Sequence, residues 1–240
     1  MPSLVRTGRK PLAAIIAAAT LLLGTSCSGG EPTASGFQQQ KQTKPAPPPP
    51  TITVAPAEGA KRVRPDKPVV VTASGGKLEK VVVRAGRHVV DGRLDDSGTR
   101  WRSTERLRPA TTYTVEAQAV GDGGPTQVNS KFTTLKPQNE LAVIDVTPAV
   151  KGEILGVGAP IIVTFNRPVE DKAAVERALE VKPEKPVPGA WRWVSDRQVI
   201  YRTSRFWPAH QKVRFTARIA GVRSGPGTWG VKNVSHTLRI

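Results

Sequence analysis

From Thr51 onward, apolar and polar positions alternate with a period of two, the pattern of strands that bury one face. Thr51-Ile52-Thr53-Val54 opens the series, and Val69-Val70-Val71-Thr72 follows a turn-rich stretch between Pro56 and Pro65. Residues 78–84, 88–90 and 99–103 are further short strands, parted by Ser74-Gly75-Gly76, Ala85-Gly86 and Asp95-Asp96-Ser97-Gly98. Asp91-Gly92 predicts a hairpin turn. Residues 112–120 alternate most clearly, Asp122-Gly123-Gly124 turns them, and residues 127–135 close the unit. Short strands at this regular spacing predict a β-sandwich.

The theme returns after the polar stretch Lys136-Pro137-Gln138-Asn139. Residues 141–147 predict an opening strand, and residues 160–165 a buried one. Strands over 189–194, 198–202, 213–219 and 235–240 follow, with a turn at Ser224-Gly225-Pro226-Gly227. One segment has helical rather than strand periodicity, residues 171–179. Asp171 is placed to cap it, and Ala174, Val175, Ala178 and Leu179 make one apolar stripe. The prediction is an all-β chain of two tandem sandwiches, 51–136 and 137–240, the second with one short helix.

The first 50 residues behave differently. Arg6, Arg9 and Lys10 precede an apolar run over residues 11–23, then Gly24-Thr25-Ser26-Cys27. This is the order of an export signal: basic start, apolar middle, small residues at the cut. About 13 apolar residues fall short of the roughly 20 that span a bilayer core. Residues 28–50 carry Ser28-Gly29-Gly30, three glutamines and a proline run. They are too polar to fold and predict a disordered tether, extended in its proline part.

Charge and cysteine usage narrow the chemistry. The net charge is +17. Residues 51–136 hold 15 basic and 9 acidic side chains, and residues 137–240 hold 16 and 9. No block of five basic residues occurs, and there is no basic helix or base-stacking motif, so nucleic acid is not the expected partner. Anionic headgroups and wall polymers are, set against plain solubility with a bias toward arginine. Cys27 is the single cysteine, so no intramolecular disulfide or cysteine-based zinc site forms. His88, His210 and His236 lack metal-ligand spacing, and no metal or cofactor is expected.

Cysteine directly after small residues resembles a bacterial lipoprotein signal, which implies that residues 1–27 are a signal segment and that Cys27 is lipidated. Gly24 stands where such signals usually carry Leu, Val or Ile, so plain secretion stays open. Gly156-Val157-Gly158-Ala159-Pro160-Ile161-Ile162-Val163-Thr164-Phe165-Asn166-Arg167-Pro168-Val169 resembles the second immunoglobulin-like domain of mycobacterial-type L,D-transpeptidases. So do the 171–179 helix, Pro188-Gly189-Ala190-Trp191-Arg192-Trp193 and Arg205-Phe206-Trp207-Pro208. The resemblance covers about residues 150–240, and the first half is similar to the family's membrane-proximal domain. It implies immunoglobulin-like folds at the extracytoplasmic face, near peptidoglycan. The family's nucleophile sits in a Ser-His-Gly-Cys setting, whereas Ser235-His236 continues into Thr237-Leu238. No residue is assigned as catalytic.

Three readings follow: a non-catalytic envelope lipoprotein that spaces or docks partners, the N-terminal part of a full L,D-transpeptidase, and a wall-polymer or adhesion module. The partners implied are a membrane reached through the lipid anchor, peptidoglycan or anionic wall polymers, and a transpeptidase catalytic domain. Trp191 and Trp193 share strand parity and so face one side. Core packing is one expectation for them. The other is an interaction surface of Trp193, Tyr201, Phe206 and Trp207.

Overall fold

The computed structural model describes residues 45–148 and 153–240. The first sandwich holds β1 (Thr51–Ala55), β2 (Val70–Ser74), β3 (Lys77–Ala85), β4 (His88–Val89), β5 (Gly92–Leu94), β6 (Arg100–Ser103), β7 (Thr112–Gly121) and β8 (Gly124–Thr133). They form two four-stranded sheets, ordered β1-β2-β6-β5 and β4-β3-β7-β8. In β7, Tyr113, Val115, Ala117 and Ala119 point inward while Thr112, Thr114 and Glu116 face water. This alternation buries one side of each sheet against Val71, Val83, Trp101, Leu107 and Phe132.

Tyr113 stacks on Phe132 at 5.3 Å, and its hydroxyl accepts the Arg108 backbone N–H at 2.7 Å. The bond ties the approach loop to the strand it feeds, the tyrosine-corner device of such sandwiches. Burial raises the Tyr113 pKa, so the phenol stays neutral.

Two predicted features of this half differ. Asp91-Gly92 is no hairpin: β4 pairs with β3, whereas β5 pairs with β6 in the opposite sheet. Val90 is buried and donates its N–H to Val83 at 2.8 Å, and Asp91 N–H goes to the Glu105 carboxylate at 3.0 Å. These bonds carry the chain across the sandwich, and the Trp101 indole occupies the space a Cβ on Gly92 needs. The tether expected over residues 28–50 also ends early. Pro50 is buried, and Pro47, Pro48 and Pro50 lie so close to Gly123 and Gly76 that a methyl at either glycine would overlap them. Residues 1–44, Cys27 among them, lie outside the described residues.

The second sandwich comprises β9 (Asn139–Leu141), β10 (Val143–Thr147), β11 (Ile161–Phe165), α1 (Lys172–Glu176), β12 (Leu179–Pro183), β13 (Gly189–Trp193), β14 (Gln198–Thr203), β15 (Lys212–Ala217), β16 (Arg223–Gly225), β17 (Thr228–Gly230) and β18 (Val234–Arg239). Sheets β10-β11-β14-β13 and β12-β15-β18 enclose a core that includes Val163, Phe165, Val199 and Phe215. A small sheet β16-β17-β9 lies at one end, with β9 parallel to β17.

The strand expected over 141–147 is therefore split. Leu141 joins β17 and Val143 joins β11, while the Asn166 carboxamide oxygen accepts the intervening Ala142 N–H at 2.9 Å. The helix is shorter than its apolar stripe predicts. Asp171 caps it by accepting from Ala174 N–H at 2.9 Å, but Leu179 already lies in β12 and pairs with Ala217 of β15. Burial of Leu179 in the sheet competes with a further helical turn, and the sheet wins.

The two cores share no residue. Between them, Gln138 and Asn139 N–H both donate to Gly227 at 3.1 Å. Gly221, with φ of 76°, abuts the Leu107 carbonyl so closely that no side chain fits. Trp229 is 4% exposed yet belongs to neither core; Arg64 from the first sandwich lies 5.9 Å over its ring.

Candidate functional site

The tryptophan strand β13 and its neighbour β14 set the geometry of the predicted surface. Trp191 and Trp193 do share a face, and it is the inner one. Trp193 stacks on Phe165 at 5.8 Å, and Trp191 meets Tyr201 and Phe215 edge-on at 5.1 and 5.9 Å. Both stay partly accessible because β13 is an edge strand. The Trp193 indole N–H reaches the Glu176 carboxylate at 3.3 Å, and the Lys172 ammonium lies 5.6 Å over its ring. Helix α1 thus covers the outer rim of that tryptophan. Gly189 is needed opposite, since a Cβ there would overlap the Tyr201 ring.

The four residues expected to form one surface do not share one. Tyr201 is 9% exposed and Trp207 3%, whereas Phe206 is 73% exposed. Trp207 stacks on Tyr201 at 6.1 Å, and its indole N–H donates to the Ala159 carbonyl at 2.8 Å. That bond satisfies the one polar atom that would otherwise resist burial, so Trp207 is a core anchor. Burial also raises the Tyr201 pKa. The same anchoring turns Phe206 outward into a cleft of about 390 Å³ with Gly158, Ala159, Arg202 and Arg205. A second cleft, about 640 Å³, lies along Ala190, Arg192, Val194, Ile200 and Arg202. Arg202 borders both.

Sequence reasoning missed the apolar outer positions Ile200 and Val194. Their parity, opposite to the tryptophans, was the available signal. Among the described residues no group of three or more His, Cys, Asp or Glu side chains is placed to hold a metal, and no helix is long and apolar enough to cross a membrane. The arrangement offers contact surface, aromatic rims and guanidinium groups.

Two facing antiparallel sheets around one core, twice over, define immunoglobulin-like sandwiches. The chain belongs to the bacterial Ig domain family, whose model matches residues 60–223. It is 34% identical to L,D-transpeptidase 2 of Mycobacterium tuberculosis over 98% of its own length and 58% of that protein's. It is 35% identical to L,D-transpeptidase 5 of the same species, over 79% of this chain and 43% of that one. The chain thus spans about half the length of these curated relatives. Among solved structures, L,D-transpeptidase 3 of M. tuberculosis is 33% identical over 41% of this chain and 36% of that one, with a TM-score of 0.30.

Proposed function

We propose that this chain is a non-catalytic spacer and docking module of the cell envelope, working beside peptidoglycan and held to the membrane by a lipid on Cys27. The observation that carries the reading is the alignment of nearly the whole chain with L,D-transpeptidase 2. What aligns includes two sandwiches that present surface rather than a nucleophile beside a base. The chain's one cysteine, Cys27, sits in the basic-then-apolar start that supports lipidation. Phe206 is the accessible side chain of the docking surface, beside Arg202 and Arg205, and its chain neighbour Trp207 is anchored beneath on Tyr201. The partner of this surface is a transpeptidase catalytic domain.

The uncovered share of the relatives favours a second reading, in which these sandwiches are the immunoglobulin-like part of a full L,D-transpeptidase that cross-links peptidoglycan. Blotting native envelopes with an antibody against the sandwiches separates the two: a band near this chain's own 25.7 kDa supports the first reading, and a much larger one overturns it. Incubating the purified 240-residue chain with peptidoglycan donor and acceptor stems tests the absence of activity directly. No cross-linked product is expected, and product formation overturns the non-catalytic reading. Cell fractionation tests the anchor: wild type partitions with the membrane, and Cys27→Ser appears in the medium or as unprocessed precursor. A Cys27→Ser protein processed and retained like wild type rules out lipidation.

A further inference from the structure

Within each sandwich, part of the excess positive charge is set face to face across neighbouring strands. On the outer face of β12-β15-β18, Lys182 lies directly opposite Arg214, and Lys212 directly opposite Arg239. In the first sandwich Arg93 lies directly opposite Arg102. All six are exposed. Like charges facing each other across strands are destabilising, so three such pairs call for a counter-charge.

The neighbouring carboxylates do not supply enough. Glu180 is shared between Lys182 at 2.8 Å and Arg218 at 3.1 Å. Glu105 is taken by His88 at 2.9 Å and by Asp91 N–H at 3.0 Å, and Asp66 is taken by Arg64. Glu184 accepts the Lys212 backbone N–H at 2.9 Å at the far edge. Asp91 borders the junction and faces Arg106 and Arg218 there.

Two clefts join these cations into one line. The first, about 480 Å³, holds Lys67, Arg93, Arg102 and Arg106. The second, about 320 Å³, spans the junction and holds Arg106 together with Arg218 of the second sandwich. Arg106 borders both, and Arg218 continues the outward row of Lys212 and Arg214 along β15. Alternate residues of a strand stand about 6.6–6.8 Å apart, so Arg214 follows Lys212 by one such step and Arg218, just past the strand end, follows Arg214 by two, with Thr216 between.

We propose that this track binds a linear polyanion, a chain bearing repeated carboxylate or phosphate groups, laid from Arg93 and Arg102 past Arg106 and Arg218 to Arg214 and Lys212. The two clefts that share Arg106 are open enough to admit a polymer backbone. No aromatic ring lines either cleft, so base stacking is not what the track offers. The inference deepens the reading of a wall-facing module by naming its ligand chemistry and surface. Its test in solution needs neither export nor lipidation, so the two stand or fall separately.

The test titrates the 240-residue chain with poly-L-glutamate and with inorganic polyphosphate of equal charge number, across a salt series. Free glutamate, free phosphate and vesicles containing an anionic phospholipid are run alongside. At least one polymer is expected to bind with an affinity that falls steeply with salt, and the better polymer identifies the anion. Arg102→Gln with Arg214→Gln should weaken binding roughly 10–100-fold and flatten the salt slope by about one unit per lost contact. Arg102→Lys with Arg214→Lys should retain most of it. The proposal is overturned if Lys80→Gln with Arg84→Gln, an equal charge loss on exposed positions of β3, weakens binding as much. It is equally overturned if the single anions bind as tightly as the polymers, or if vesicles bind and polymers do not.

Discussion

At the scale of single residues, Phe206 and Trp207 are neighbours in the chain with opposite fates. Trp207 fills the core between Tyr201 and the Ala159 carbonyl, and Phe206 sits in water. Truncating a buried tryptophan loses its transfer free energy and leaves a cavity. Trp207→Ala should therefore cost about 3–5 kcal/mol in denaturant unfolding. Phe206→Ala should stay within about 0.5 kcal/mol of wild type, so only Phe206 is usable as a clean probe of docking.

Ala110 offers a second residue-level check. It has φ of 49°, in the left-handed region that a Cβ disfavours, and its N–H donates to the Leu135 carbonyl at 2.8 Å. His210, with φ of 58°, repeats the arrangement in the second sandwich by donating to Ile240 at 2.9 Å. Ala110→Gly relieves the strain but enlarges the freedom of the unfolded chain, so a net gain of about 0.5–1 kcal/mol is expected from thermal unfolding.

Among the elements, the β12-β15-β18 sheet carries its charge on its outer face. Glu180 is its counter-ion, and hydrogen bonding from Lys182, with further help from Arg218, holds its carboxyl below the ordinary range. A carboxylate lowered on folding contributes stability above its unfolded range, and that contribution is lost as pH falls through the lowered value. Side-chain carbon NMR should show Glu180 titrating below free glutamate. Lys182→Gln should move that titration upward, and an unmoved curve would show that Lys182 is not the dominant partner.

For the whole molecule, the separate cores argue that residues 51–136 and 139–240 each fold cooperatively when expressed alone. Circular dichroism melts of the two fragments test this, with unfolded signals from both pointing to a shared core. Trp229 makes the cost of separation visible. Its burial depends on the junction, where Arg64 covers the ring, so the 139–240 fragment should emit at longer wavelength than the intact chain when its tryptophans are excited. An unchanged spectrum would mean that the second sandwich buries Trp229 unaided.

Period-two alternation over residues 51–54, 112–120 and 213–217 was enough to read those strands, because a half-buried sheet forces every second side chain to be apolar. The all-β class and the doubled sandwich follow from that local rule, and Asp171 as a helix cap follows from its acceptor side chain just ahead of an apolar stripe at helical spacing. What the sequence could not settle is everything decided by the partner across the core. Asp91 and Gly92 look like a hairpin until the buried Val90 and the Glu105 carboxylate draw the chain to the other sheet. Leu179 belongs to a helical stripe until pairing with Ala217 buries it better. Trp207 and Phe206 are equally apolar as letters, and only the Ala159 carbonyl and the Tyr201 ring select which one turns inward. The proposed cation track has the same origin: Arg93 and Arg102 are apart in the chain until cross-strand register sets them face to face, and Arg106 and Arg218 meet only where the two sandwiches join.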